Sequence, residues 1–177
     1  MTFDELKSAM PAFAKDTKLN LGRVLAADGT DGLTPAHVFG VAMASAYVTR
    51  NADLVSALRD KAGAALSAEY DQAAKAAASV MGMNNVYYRF VHLVSDEEYG
   101  KMPANLRMNI IGNPGIDKVD FELMSLAVSA INGCGMCMDA HVAEVVKGGV
   151  NRTGVQTAIR IGAVVNAAAQ SLEIAEL

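Results

Sequence analysis

The 177-residue chain carries 15 Lys and Arg against 19 Asp and Glu, a formal net charge of −4, and 52% hydrophobic residues. This composition is typical of a compact globular protein, and the lack of a basic stripe argues against nucleic-acid binding. Residues 1–6 lack the basic and apolar regions of a signal peptide, and the apolar stretch 161–172 is too short for a membrane span. We therefore expect a cytoplasmic protein, where two cysteines are more often catalytic or metal-binding than structural.

Apolar residues recur at spacings of three and four along an alanine-rich chain, so the sequence predicts an almost entirely helical fold. A capping box at Thr2 begins the first helix, and Pro11 opens the second. Residues 28–32 are predicted to form a loop. Thr34 then acts as N-cap and Pro35 as first residue of a long helix that ends near residue 48.

Three further helices are predicted in the first half of the chain and three in the second, separated by connections rich in glycine, asparagine and proline. The predicted helices cover 53–63, 67–81, 85–94, 121–131, 134–148 and 151–172, and the predicted connections lie at 96–103, 112–115 and 132–133.

The two halves of the chain show a faint internal repeat. Ser45 and Ser129 are 84 positions apart, and several other identical pairs share this offset. Alanine-rich helices also match by chance, so duplication and coincidence stay equally open. We describe residues 1–177 as a single unit with an N-terminal helical half, 1–95, that lacks the cysteines, and a C-terminal half, 96–177, that contains them.

The two cysteines, Cys134 and Cys137, are three residues apart. On a helix this spacing places them on one face, where they can close a small disulfide. The break at 132–133 places Cys134 at or near a helix N-terminus, where unpaired backbone N–H groups and the helix dipole favour the thiolate. Reasoning from position alone makes Cys134 the more activated thiol.

Two further polar residues can serve these thiols. His141 lies one turn after Cys137 on the same face, where it can take a proton from a thiol or stabilise a thiolate. Glu122 lies on the preceding helix and could orient His141 if the two helices fold back on each other. Alternatively, His141 is a solvated surface residue and Glu122 only complements a helix dipole.

Other interpretations of the chain remain open. Zinc usually takes four ligands, and the two cysteines with His141 supply three. His37 and His92 have no polar cluster nearby in the sequence and are interpreted as structural. The ten methionines fit the role of core residues.

Glu122, Cys134, Cys137 and His141, with this spacing, resemble the alkyl hydroperoxidase D family of the carboxymuconolactone decarboxylase-like superfamily. The likeness begins near residues 15–21 and extends to the last helix, so it covers nearly the whole chain. Other segments that carry it are 81–89 (MGMNNVYYR), 106–115 (LRMNIIGNPG) and 128–134 (VSAINGC).

The resemblance implies an all-α fold with two related helical halves, assembled as a homotrimer. It implies an antioxidant peroxidase that reduces alkyl hydroperoxides and also reduces the disulfide of a partner, the peroxiredoxin subunit of alkyl hydroperoxide reductase. Electrons would arrive from the dihydrolipoyl group of a lipoylated acyltransferase-type carrier protein, recharged by a flavin- and NADH-dependent dehydrogenase. No cofactor would be tightly bound.

The resemblance also implies a role for each site residue. Cys137 is the thiolate that attacks peroxide and becomes a sulfenic acid, and Cys134 is the proton donor and resolving thiol. Glu122 and His141 form a proton relay. This assignment differs from the one based on helix position, and we follow the family. Where family members often carry a histidine between the cysteines, this chain has Met136, which predicts a lower peroxidase rate with partner reduction retained.

Three alternatives accompany this hypothesis. The first is a thiol–disulfide carrier with negligible peroxidase activity, and the second is a helical zinc-binding scaffold. The third is a decarboxylase-like enzyme of the wider superfamily, which would work through other polar residues.

Overall fold

The structure is a computed structural model that describes residues 1–26 and 30–177. Over these ranges the chain forms α-helices and short 3₁₀ turns without any β-strand, which confirms the all-α prediction. The helices are α1 (Phe3–Ala9), α2 (Lys15–Val24), α3 (Pro35–Thr49), α4 (Ala52–Ala62), α5 (Ala68–Leu93), α6 (Glu98–Lys101), α7 (Asn109–Gly112), α8 (Lys118–Ile131), α9 (Gly135–Lys147) and α10 (Arg152–Ala175).

Local sequence signals fix several of the helix ends. Thr2 and Glu5 form the predicted capping box of α1, and Thr34 caps α3 with Pro35 in its first turn. Pro11 precedes a 3₁₀ turn at Ala12–Ala14 that leads into α2. Part of the predicted loop at 28–32 lies outside the described residues.

The prediction of two helices over 67–81 and 85–94 is wrong, because the structure has one helix, α5, across both segments. Gly82 lies inside this helix and does not interrupt it. A glycine in a helix interior costs only about 1 kcal/mol relative to alanine. Burial of Met81 and the hydrogen bonds of Asn85 to Ser129 and Asn132, on either side of it, hold the backbone helical.

Two helices, α3 and α8, lie at the centre of the fold. Each has an unbroken run of buried residues, 38–46 in α3 and 120–129 in α8, so neither presents a polar face to solvent. Such helices lie within a core rather than on its surface. Both pack against α5 and α10, and α9 folds back on α8, which brings the second half of α8 next to the cysteines.

The helices of the two halves correspond under the 84-residue offset. Shifted by this amount, the start of α5 at Ala68 falls on Arg152, the first residue of α10, and its N-cap Ser67 falls on the N-cap Asn151. The central helices α3 and α8 overlap in the same way. This correspondence supports two related halves. Among the described residues, no helix is long and apolar enough to cross a membrane.

Candidate active site

The turn between α8 and α9 places the first cysteine. The N–H of Gly133 donates to the Ala130 carbonyl at 3.2 Å, and the N–H of Cys134 donates to the Ser129 carbonyl at 3.0 Å. These two bonds, with Gly133 at φ 72°, form a Schellman motif that ends α8. The positive φ favours glycine at position 133. The next residue, Cys134, ends the Schellman motif and is also the N-cap of α9.

Cys134 and Cys137 are joined by a disulfide, with their Cα atoms 5.3 Å apart. As N-cap, Cys134 accepts a hydrogen bond on Sγ from the backbone N–H of Cys137 at 3.3 Å. Its side chain is fully buried at 0% exposure, while Cys137 is 7% exposed and borders a cavity. Of the two cysteines, Cys137 is the one that lines the cavity.

His141 and Glu122 form a buried pair beside the disulfide. The Nδ1 atom of His141 lies 2.6 Å from Oε2 of Glu122, and both side chains are more than nine-tenths buried. His141 lies one turn after Cys137 on α9, and Glu122 projects from α8. A carboxylate that accepts from one imidazole nitrogen fixes the ring orientation, which is the arrangement that proton transfer at a thiol requires.

The second nitrogen of His141 faces a methionine. Its Nε2 atom lies 3.3 Å from the Sδ atom of Met81 on α5. A thioether sulfur accepts hydrogen bonds weakly and cannot donate one. The Met81 sulfur can accept a hydrogen bond from Nε2 when that nitrogen carries a proton. Met81 therefore belongs to the polar site as well as to the core.

A hydrogen-bonded network on α5 holds the turn that carries Cys134. The side chain of Asn85 donates to Ser129 Oγ at 2.9 Å and accepts from Asn132 Nδ2 at 2.9 Å. Arg89 donates to the Asn132 carbonyl at 2.7 Å. These contacts join α5 to the end of α8 immediately before the first cysteine.

A cavity of about 330 Å³, here called the dithiol cavity, opens beside Cys137. Its wall is mostly apolar, formed by Met81, Tyr88, Met108, Ile111, Met136 and Ala140. The polar residues that line it are Asn84, Glu122, Cys137, His141 and Glu144. At its edge Lys118 donates to Glu144 at 3.1 Å, and this hydrogen bond lowers the pKa of Glu144. An apolar wall around a thiol and a proton-transfer pair fits a small organic substrate.

The structure brings together all four residues that the sequence singled out. It does not place Cys134, Cys137 and His141 as free metal ligands, because the sulfurs are bonded to each other and the imidazole is bonded to Glu122. Within residues 1–26 and 30–177, no group of three or more His, Cys, Asp and Glu side chains is arranged to hold a metal ion.

Sequence reasoning missed the contribution of α5. The sequence favours a core role for Met81, and it marks Asn84 and Asn85 only as part of the segment 81–89 that resembles the family. Two adjacent asparagines in a helical pattern are the signal that marks them, since asparagine is a poor helix former. His92, which the sequence predicts to be structural, lies close to the two cysteines. Its Nε2 atom would be 3.9 Å from a Cβ atom added at Gly135.

Thiol–disulfide chemistry is what this geometry makes possible, and it places the molecule among the helical dithiol oxidoreductases. The family model of the carboxymuconolactone decarboxylase family matches residues 97–177. Alkyl hydroperoxide reductase AhpD of Brucella anthropi is 54% identical over 176 residues, which cover 99% of both chains. The protein of that name from Coxiella burnetii is 57% identical over 164 residues, 93% of both chains, and that from Brucella suis is 54% identical over 176 residues, 99% of both. The chain belongs to the AhpD family, which confirms the resemblance seen in the sequence.

Proposed function

We propose that this chain is an antioxidant alkyl hydroperoxide reductase, which uses Cys137 as the peroxide-attacking thiol and Cys134 as the resolving thiol. The observation that carries the proposal is that Cys137, and not Cys134, lines the dithiol cavity. Cys137 borders the dithiol cavity together with His141, and Cys134 is fully buried behind it. The names of the relatives support the same activity.

The catalytic cycle starts from the reduced protein. The Cys137 thiolate attacks the terminal oxygen of the hydroperoxide, so that an S–O bond forms while the O–O bond breaks. Sulfur loses two electrons to the peroxide, and the alkoxide takes a proton from His141 to leave as an alcohol. Glu122 holds the imidazole in place during this transfer.

The resolving step regenerates the disulfide that the structure contains. The Cys134 thiol condenses with the sulfenic acid on Cys137, an S–S bond forms, and the oxygen leaves as water. The 5.3 Å between the two Cα atoms allows this bond without displacement of the helix. A dihydrolipoyl group on a lipoylated acyltransferase-type carrier protein then reduces the disulfide by thiol–disulfide exchange.

The assignment of the two thiols is tested with single cysteine variants. Reduced Cys134→Ser protein is mixed with cumene hydroperoxide and a sulfenic-acid trapping reagent, and the adduct is located by mass spectrometry. We expect the adduct on Cys137 and none on residue 134 of the matched Cys137→Ser variant. If Cys137→Ser instead forms the adduct on Cys134, and Cys134→Ser forms none on Cys137, the assignment is reversed.

The partner roles are tested in a coupled assay. Dihydrolipoamide, the reduced protein and the peroxiredoxin subunit of alkyl hydroperoxide reductase are combined with hydroperoxide, and each component is omitted in turn. Oxidation of dihydrolipoamide without the peroxiredoxin measures peroxidase activity, and its increase with the peroxiredoxin measures partner reduction. A thiol–disulfide carrier with negligible peroxidase activity would show only the second. The presence of Met136 in place of the family's histidine favours this second candidate.

The same proposal includes a cytoplasmic homotrimer. A row of exposed apolar side chains on the second half of α5 supports self-association: Met83, Val86, Phe90 and Leu93. Sedimentation velocity at micromolar concentration measures the mass of the assembly.

A further inference from the structure

One face of α5 forms a wall of the dithiol cavity. Met81, Asn84 and Tyr88 are spaced by three and four residues, so they project on the same side of the helix and all line the cavity. Met81 is already engaged with His141. Asn84 therefore lies in the middle of this wall, between the methionine that contacts His141 and the ring of Tyr88.

The side chain of Asn84 is 4% exposed, and its Oδ1 atom has no hydrogen-bond partner within the described part of the chain. The neighbouring Asn85 is equally buried, but its amide bonds both Ser129 and Asn132. A buried amide oxygen without a partner destabilises a fold. The oxygen is enclosed by protein, whereas the amide nitrogen is not among the buried atoms without a partner, so the N–H is the side of the carboxamide that can contact a ligand in the cavity.

We propose that the Asn84 carboxamide binds the peroxide group of an alkyl hydroperoxide and orients it toward Cys137. This inference rests on the proposed function, which it deepens with a substrate-binding residue. The carboxamide N–H donates a hydrogen bond to the hydroperoxide oxygen that is bonded to carbon. The alkyl group packs against the apolar wall, formed in part by Tyr88, Ile111 and Met136.

The proposed contacts fit the reaction step by step. The terminal oxygen forms a bond to the Cys137 sulfur, and the second oxygen gains negative charge as the O–O bond breaks. An N–H donor at that oxygen stabilises the developing charge before His141 delivers the proton. Disulfide reduction by a dithiol develops no charge on a peroxide oxygen, so Asn84 has no role in that half of the cycle.

The test compares the two half-reactions in Asn84→Leu, which keeps a similar side-chain volume and removes the amide. Oxidation of the reduced protein by cumene hydroperoxide is followed in a stopped-flow instrument, and reduction of the disulfide by dihydrolipoamide is followed separately. We expect the peroxide reaction to slow by roughly tenfold or more, the effect of one lost hydrogen bond to a developing charge. The dihydrolipoamide reaction should stay within about twofold of the wild-type rate.

Ser125→Ala is the matched control. Ser125 is the other residue of the described chain with a buried side-chain atom that lacks a partner, and it does not line the dithiol cavity. Its removal should leave both half-reactions unchanged. This control separates the effect of losing any buried polar atom from the effect of losing one that contacts substrate.

Three results would overturn the inference. Wild-type peroxide reactivity in Asn84→Leu shows that the amide does not contact the substrate, and an equal slowing of both half-reactions shows that it only supports the fold. If the wild-type protein does not reduce hydroperoxides at all, the proposed function itself has failed and the inference fails with it.

Discussion

Met136 lies between the two cysteines, lines the dithiol cavity and is partly exposed to solvent. Its thioether can neither give nor take a proton at neutral pH, whereas an imidazole does both. We expect Met136→His to raise the rate of oxidation by cumene hydroperoxide by about tenfold, the lower range of general acid–base effects. Stopped-flow measurement on the reduced protein checks this. Met136→Leu is the control for side-chain size, and equal rates in the wild type and the histidine variant would contradict the prediction.

At the residue scale, the sequence predicted what depends on spacing along one helix. Cys134, Cys137 and His141 share α9, so their common face followed from the helical repeat alone. The contact of Glu122 with His141 depends on α8 and α9 folding back on each other. The predicted break at 132–133 allows that arrangement but does not determine it. Met81 and Asn84 could not be placed, because their role depends on how α5 packs against α8 and α9, and no local signal encodes that packing.

At the scale of elements, Gly82 in α5 offers a test of local stability. It lies in the interior of a helix with no atom within 4 Å of the position that a Cβ would occupy. Alanine there adds no clash and reduces the conformational freedom of the unfolded chain. We expect Gly82→Ala to raise the free energy of unfolding by about 0.5–1 kcal/mol. Urea denaturation measures the change, and a lower midpoint would show that the helix needs the glycine.

Gly82 also explains why the sequence predicts two helices where the structure has α5 alone. Gly82 and the two asparagines after it are weak helix formers, so local propensity predicted a break there. Burial of Met81 and the hydrogen bond of Asn85 to Ser129 on α8 outweigh that propensity, and tertiary packing is not visible in a single sequence. The ends of α1 and α3 were predictable because capping boxes act within four residues.

A polar cluster joins the first turn of α8 to α3 and α5 through Asp120, His37 and Tyr70. Asp120 lies 2.7 Å from Nε2 of His37 and accepts a hydrogen bond from the Tyr70 hydroxyl. Burial raises the pKa of Asp120, but the hydrogen bonds from His37 and Tyr70 outweigh burial and hold the pKa below its ordinary value. Burial and the Asp120 hydrogen bond raise the pKa of Tyr70 to about 12.

A carboxyl group with a lowered pKa in the folded state stabilises the fold above the pKa of the unfolded chain, near 4, and loses this contribution as the pH falls through the folded value. A tyrosine with a raised pKa stabilises the fold below about pH 10 and loses this contribution as the pH rises toward 12. We expect Asp120→Asn to unfold at lower urea concentration than the wild type at pH 7 and to lose part of the difference at pH 3. A difference that is the same at both pH values would contradict this.

At the scale of the whole molecule, the exposed apolar row on α5 calls for a covering surface. Val86 and Leu93 are 63% and 71% exposed, and with Met83 and Phe90 they repeat at spacings of three and four along one side of the helix. A continuous apolar row of this kind on a protein surface marks an interaction site. A second copy of the chain is the partner we expect, because self-association as a homotrimer is the assembly that the family resemblance implies.

The double variant Val86→Glu, Phe90→Glu should therefore convert the assembly to monomers, because each contact of a cyclic trimer would then bury two unpaired charges against the next copy. Sedimentation velocity distinguishes a trimer from a monomer, and Phe13→Glu, which changes an exposed aromatic residue far along the chain, is the control. The face of α5 that carries Asn84 is formed by other residues of the same helix, so the disulfide should remain reducible by dihydrolipoamide in the monomer. A wild-type protein that sediments as a monomer would refute the trimer, whereas an intact trimer in the double variant would place its interface on another surface.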